Sequence, residues 1–191
     1  MRKLTVALVC GLLSASVVRA DCPDATNQIT NCGFEVNLAG WINSSATMTR
    51  STEAARTGSA SLSLEAINAI NPAEAWHDCM ALAPSTVYNF GAFFRLSSSS
   101  AGSPEYCDVE LLAFTTGDCT GATVYPTTAN VNPAVGVWTK SQGSFNTGTS
   151  YASFRPVIRC QNAGAIFTVL TDDVYVGTGQ VPVELTGFSA D

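Results

Sequence analysis

Charge is what this sequence has least of. Asp, Glu, Lys and Arg make up only 13% of the chain, and three of its nine cationic residues (Arg2, Lys3 and Arg19) fall in the first twenty positions. Beyond them six cations face fifteen carboxylates, so the formal net charge moves from −6 to −9. A partner held through phosphates needs concentrated Lys and Arg, so this balance weighs against nucleic acid and against an anionic bilayer surface. Histidine is nearly missing as well. His77 is the only one, so a Ser-His-Asp arrangement would have to use it, and no Gly-x-Ser-x-Gly elbow supports one. With a single histidine and no Cys-x-x-Cys pair, a zinc site is disfavoured.

The one sustained apolar run lies at the start. Arg2-Lys3, the apolar stretch Leu4 to Leu13 and the small-residue pattern Val18-Arg19-Ala20 read as a signal peptide over 1–20, cleaved before Asp21. The run is too short for a membrane span and no stop-transfer pattern follows it, so export without membrane insertion is the expectation. Residues 21–177 then form one domain with a sizeable core, and 178–191 a C-terminal tail.

Cysteine is plentiful: seven in all, of which six (Cys22, Cys32, Cys79, Cys107, Cys119 and Cys160) follow the leader. An even count in an exported chain reads as disulfides, although six cysteines allow fifteen connectivities. Cys107 opens a strand and Cys119 follows a Thr-Thr-Gly-Asp turn, so a short hairpin can close between them. Cys22 and Cys32 flank a polar segment and can clip it to the first strand. Cys79 and Cys160 pair by elimination.

Periodicity along the rest of the chain is two. From Val87 to Leu96, Tyr88, Phe90, Ala92, Phe94 and Leu96 occupy one face, while Asn89, Gly91, Phe93 and Arg95 occupy the other. Val109, Leu111 and Ala113 alternate with Asp108, Glu110 and Leu112; Ala152, Phe154 and Ile158 alternate with Ser153, Arg155 and Arg159. Short alternating runs divided by Gly, Ser, Asn and Pro clusters predict an all-β fold, an antiparallel β-sandwich or jelly roll.

Several segments share an order with one family. Asn31-Cys-Gly-Phe-Glu35 precedes Gly40-Trp41, then Arg56-Thr-Gly-Ser-Ala-Ser-Leu62; Tyr88-Asn-Phe-Gly-Ala-Phe-Phe-Arg95, Trp138-Thr-Lys140 and Thr171-Asp-Asp-Val174 follow. Together they resemble the cenC-like, galactose-binding-like jelly-roll carbohydrate-binding modules over most of residues 27–177. Cys32 departs from the pattern, which usually has Gly or Asp there. The resemblance implies a secreted, non-catalytic module that binds a glycan or polysaccharide. The alternative is a structural or adhesive extracellular sandwich that has lost sugar recognition, and the lack of a recognisable catalytic partner domain favours it. A glycoside hydrolase would rest on Asp108 and Glu110, about 6.8 Å apart on one strand face, within the range such carboxylate pairs use. Alternating polar residues on an exposed strand produce that spacing routinely, so no catalytic residue is assigned.

The resemblance also implies a structural calcium ion, held by Glu35, Asp172 and the backbone carbonyls of the Thr57–Ser59 turn. Independently, Asp172 sits in an apolar run. If Leu170, Val174 and Val176 face the core, so does Asp172, and an unpaired carboxylate there is costly. Oxygen ligands from separate segments suit calcium; without metal, Glu35 and Asp172 would accept hydrogen bonds from backbone amides. Among the aromatics, Trp41 and Trp138 match the family's structural tryptophans and are expected to be buried. Trp76, between Pro72 and Cys79, and Phe93, on the polar side of its strand, are expected in solvent. With Arg95 and Glu110 they would make a sugar-binding surface if their strands are neighbours. Otherwise Phe93 packs beneath the Ser97–Ser103 loop and Trp76 covers an edge of the sandwich.

Overall fold

The computed structural model describes Cys22 and residues 25–180; the proposed leader and the tail beyond residue 180 lie outside the described residues. Eleven strands are described, running β1 (Trp41–Ser44), β2 (Ala46–Ser51), β3 (Ser61–Ala66), β4 (Ala73–His77), β5 (Met80–Ala81), β6 (Val87–Leu96), β7 (Tyr106–Phe114), β8 (Thr123–Val124), β9 (Thr139–Asn146), β10 (Ser153–Gln161) and β11 (Thr168–Gly177). They form two antiparallel sheets. One has the order β1-β4-β10-β7-β8, with β5 also paired to β10; the other has the order β2-β3-β11-β6-β9. The fold is an all-β, two-sheet sandwich of jelly-roll type.

Alternation in the sequence puts the apolar set of each strand between the sheets, where burial is favourable in proportion to the apolar area removed from water. Leu62, Leu64, Phe90, Phe94, Val109, Leu111, Phe154 and Ile158 are all fully buried there. Tyr88 stacks tilted against Phe154 at 6.1 Å between ring centroids, and its hydroxyl accepts the Ala83 N–H at 3.0 Å. Trp41 is buried between Phe34 and His77, with ring centroids 5.6 and 4.9 Å away. Trp138, expected in the core, is only half-buried because it precedes β9 at the sandwich margin. Between β3 and β4 the chain passes through an irregular loop, with Asn68 accepting the amides of Ile70 and Asn71.

Two local features break the regular strand pattern. β1 and β2 are consecutive but belong to different sheets, and Ser45 between them has φ of 55°. In β11 the register against β6 shifts between Asp172 and Tyr175, where Asp173 has φ of 49°. This bulge inserts residues that reverse the inside–outside alternation. Val174 and Val176 therefore join Val169 in the core, whereas Leu170 and Asp172 share the outward side with their partners Arg95 and Phe93. Asp172 does not face the core, because an alternation count carried through a bulge inverts.

The disulfides correct two of the three expected pairs. Cys22–Cys32 is formed, with Cα atoms 5.7 Å apart. Cys107 pairs with Cys160, not Cys119, and Cys79 pairs with Cys119, not Cys160. The reason is strand order: β7 and β10 are neighbours, and Cys107 stands directly opposite Cys160 in their register. The loop between β7 and β8 instead folds back over the end of β10, where the Cys119 N–H donates to Ser153 Oγ at 3.0 Å and Ser153 Oγ donates to the Thr116 carbonyl at 2.6 Å. That carries Cys119 to Cys79. Peptide mapping without reduction is expected to recover Cys107–Cys160 and Cys79–Cys119 fragments. The latter bond spans 40 residues, so the Cys79→Ser/Cys119→Ser double variant should lose about 4 kcal/mol in denaturant unfolding by the chain-entropy relation. Recovery of a Cys107–Cys119 peptide would contradict the strand order itself.

Candidate functional site

Antiparallel partners point to the same side of a sheet, so the registers specify what each outer face carries. On the six-stranded sheet, Trp76 stands opposite both Ile42 and Val157, and Val157 opposite Glu110. The next row along the strands is Ser44, Glu74, Arg159 and Asp108. On the other side of the Trp76 row, Arg155 stands opposite Leu112. Trp76 and Glu110, both anticipated from the sequence, thus lie in one row across four strands.

Phe93 and Arg95 do not join them. They belong to β6, in the other sheet, and project from the opposite side of the molecule. Phe93 is only 4% exposed, which overturns its expected solvent exposure. The 52–60 segment crosses that face: the Arg56 guanidinium lies 3.6 Å from the Phe93 ring centroid, and Ser61 Oγ donates to the Ala54 carbonyl at 2.7 Å. Glu53 fastens the other side, accepting from Ser97 Oγ at 2.6 Å, the Ser98 amide at 2.7 Å and Ser98 Oγ at 2.9 Å. Burial pushes the Glu53 carboxyl up, but these donors and the charge of Arg95 outweigh it and leave it below its ordinary value. Elsewhere on this sheet a polar hollow of about 260 Å³ lies among Asn89, Gln142, Gly143, Ser144 and Gln180. No aromatic ring lines it, so it offers no platform for stacking.

The open face of the six-stranded sheet differs in its chemistry. Trp76 is half-buried, with its indole N–H donating to Glu74 Oε2 at 2.9 Å. The Arg155 guanidinium carbon lies 5.9 Å from the Trp76 ring centroid. Arg159 forks onto fully buried Asp108, Nε to Oδ1 at 3.1 Å and Nη2 to Oδ2 at 2.8 Å, and its Nη1 lies 3.6 Å from Glu110 Oε2. Burial raises the Glu110 carboxyl; the charges of Asp108 and Glu74 push the same way, and Arg159 only partly offsets them. Val157 faces outward yet is 1% exposed, covered by the longer side chains beside it. Ile42 at the margin is 56% exposed. The result is an aromatic ring beside aliphatic surface, flanked by fixed acceptors and donors. Sequence reasoning placed Arg155 and Arg159 on a polar strand side but did not connect them to Trp76, because that needs the β4–β10 pairing.

The residues expected to hold calcium converge on the turn that enters β3. Glu35 accepts the Ser59 amide at 2.9 Å (Oε2), the Ser59 hydroxyl at 2.8 Å and the Ala60 amide at 3.1 Å. Burial pushes its carboxyl up, but these donors and Arg50 leave it below its usual value. Asp172 accepts the amides of Arg56 at 2.7 Å, Thr57 at 3.2 Å and Asp173 at 2.8 Å. Asp173 accepts from Arg56 Nη1 and, at 2.6 Å, from Thr57 Oγ1. Both aspartates are fully buried, and their only ion pair is Arg56–Asp173 among the described residues. Burial and the neighbouring Asp173 push the Asp172 carboxyl up to about 7, against the pull of its amide donors. Gly58 is required here: its φ is 65°, and a Cβ would lie 2.3 Å from Glu35 Oε1.

Comparison with known proteins agrees with this architecture. The family model described as "Carbohydrate binding domain" matches residues 26–163. Among solved structures, a family 16 carbohydrate-binding module aligns with a TM-score of 0.58 at 22% identity, covering 78% of this chain and 99% of that one. The CBM22-1 xylan-binding domain from Paenibacillus barcinonensis aligns at 0.58 and 15% identity, covering 80% and 93%. A xylan-binding domain of family 22 aligns at 0.57 and 16% identity, covering 85% and 100%. At these identities the likeness is one of fold. Comparison with curated proteins gave no match. With most of its sandwich matched by the family model, this chain belongs to the carbohydrate-binding domain family, a family of binding domains and not of hydrolases.

Proposed function

We propose that this domain is a secreted, non-catalytic module of the cenC-like group that binds a polysaccharide on the outer face of its six-stranded sheet. The observation that carries the proposal is Trp76: a large aromatic left half-exposed on a sheet face, its N–H anchored by Glu74. Sugar rings present flat C–H faces that pack on such an indole, while fixed polar groups such as Glu110 and Arg159 take hydroxyls. Xylan is the first ligand to try, since two of the aligned structures are named as xylan-binding domains. A glycan array on the protein lacking residues 1–20 tests the reading. Trp76→Ala is expected to weaken binding by about 1–3 kcal/mol, by analogy with losing one stacked ring, with an unchanged melting temperature. An array with no hit would leave the structural or adhesive reading.

Calcium is part of the same proposal. Two buried aspartates share one guanidinium, which pairs with Asp173, so the charge on Asp172 is what a proton or a cation would offset, with Glu35 at the same turn as a further oxygen ligand. Glu35, Asp172 and the carbonyls of Thr57 and Ser59 would hold the ion, whose effect is to brace the turn. A ligand bound only by the folded state raises stability by mass action. A chelator is therefore expected to lower the melting temperature, added calcium to restore it, and Asp172→Ala to abolish the response. An identical melt with and without chelator would show that the amides and Arg56 suffice.

A further inference from the structure

The outer face of the six-stranded sheet is electrically lopsided. At one end Arg159 is committed, forked onto Asp108 and close to Glu110, while Glu74 is committed to the indole of Trp76. At the other end stands Arg155, four residues along the same strand and about 13 Å away. It forms no hydrogen bond or ion pair among the described residues, and its Nε is buried without an acceptor. Its guanidinium carbon lies 5.9 Å from the Trp76 ring centroid. Asp78, the nearest carboxylate by sequence beyond β4, has Oδ2 only 3.8 Å from where a Cβ on Gly40 would lie, placing it toward β1.

A guanidinium carries five N–H donors in a planar fork and no acceptor. The buried Nε is out of a ligand's reach, but the two terminal nitrogens are not buried, have no partner among the described residues and present parallel N–H groups. The group whose geometry fits the fork is a carboxylate, bound through two parallel N–H···O bonds. Resting on the binding face proposed above, we propose that Arg155 makes this domain selective for polysaccharide bearing uronic acid residues. One sugar ring packs on Trp76 while the carboxylate of that residue or its neighbour pairs with Arg155. The overall negative charge of the chain is compatible with this. It opposes a partner held by many phosphates, but here one fixed cation takes one carboxylate, with the acidic cluster at the far end of the face.

The test uses glucuronoxylan and the same polymer after chemical reduction of its carboxyl groups, with the protein lacking residues 1–20, by calorimetry or affinity electrophoresis. The acidic polymer is expected to bind at least about tenfold tighter than its reduced counterpart, as one charge-assisted contact provides. The preference should shrink in 0.5 M salt (roughly a 4 Å screening length). R155Q should bring the ratio of the two affinities to about one, with its melting temperature checked against the parent. Equal binding of both polymers by the parent, or a ratio that survives R155Q, would overturn the selectivity and leave the binding face standing. Failure of both polymers to bind, or binding indifferent to Trp76→Ala, would overturn the face and the selectivity with it.

Discussion

Everything on the proposed binding face hangs from one strand, β10, and from its antiparallel pairing with β7 on one side and β4 on the other. The period of two makes this strand serve two purposes at once. Phe154, Ile158 and Cys160 point inward and are fully buried, while Arg155, Val157 and Arg159 point outward and set the spacing of the face. Both ends of the strand are tied covalently or nearly so. Cys160 is bonded to Cys107 directly across the ladder, and the Cys119 loop sits on Ser153 at the other end. A one-residue slip would exchange the two sets of side chains, burying two guanidiniums. The buried apolar set and the crosslinks therefore hold the outward set in register.

This explains why some of the molecule was legible in the sequence and some was not. The inward set of β6, β7 and β10 follows from alternation, and so did the outward position of Asp108, Glu110, Arg155 and Arg159. Cys22–Cys32 was legible because its partners are only 10 residues apart. What alternation cannot convey is which strands are neighbours. That single gap produced both exchanged disulfides, and it placed Phe93 and Arg95 beside Trp76 when they lie across the core. Nor can alternation say what covers a face. Phe93 is on the polar side of β6 as expected, yet it is buried, because Arg56 lies on its ring. The Asp172 error has a third cause, a bulge that changes the count without any proline or glycine to announce it.

The two outer faces of the sandwich have opposite fates, and their polar groups show why. On the five-stranded sheet the 52–60 strap brings amides to Asp172 and Glu35 and a guanidinium to Asp173, and its own Glu53 accepts from Ser97 and Ser98 beyond β6. Each bond favours closure, since a buried carboxylate without donors is far costlier than one that keeps them. On the six-stranded sheet no segment among the described residues supplies such partners to Arg155. The acidic end is satisfied from within the sheet itself, by Arg159 and the indole of Trp76.

That contrast bears on why the open face can afford to be open. A half-exposed aromatic contributes less to folding than a core one, and a fork of arginine and aspartate within one sheet needs no cover to hold its geometry. Trp76 and Arg159 are thus held by hydrogen bonds within the sheet, and Glu110 lies beside Arg159, so less of the entropy of ordering them falls to ligand binding. If a sugar chain binds there as proposed, the cost falls mainly on ordering that chain. The same logic makes Arg155 informative: on a face whose other charges are paired internally, its guanidinium is the one without an acceptor among the described residues, and so the place where the proposed ligand has most to contribute.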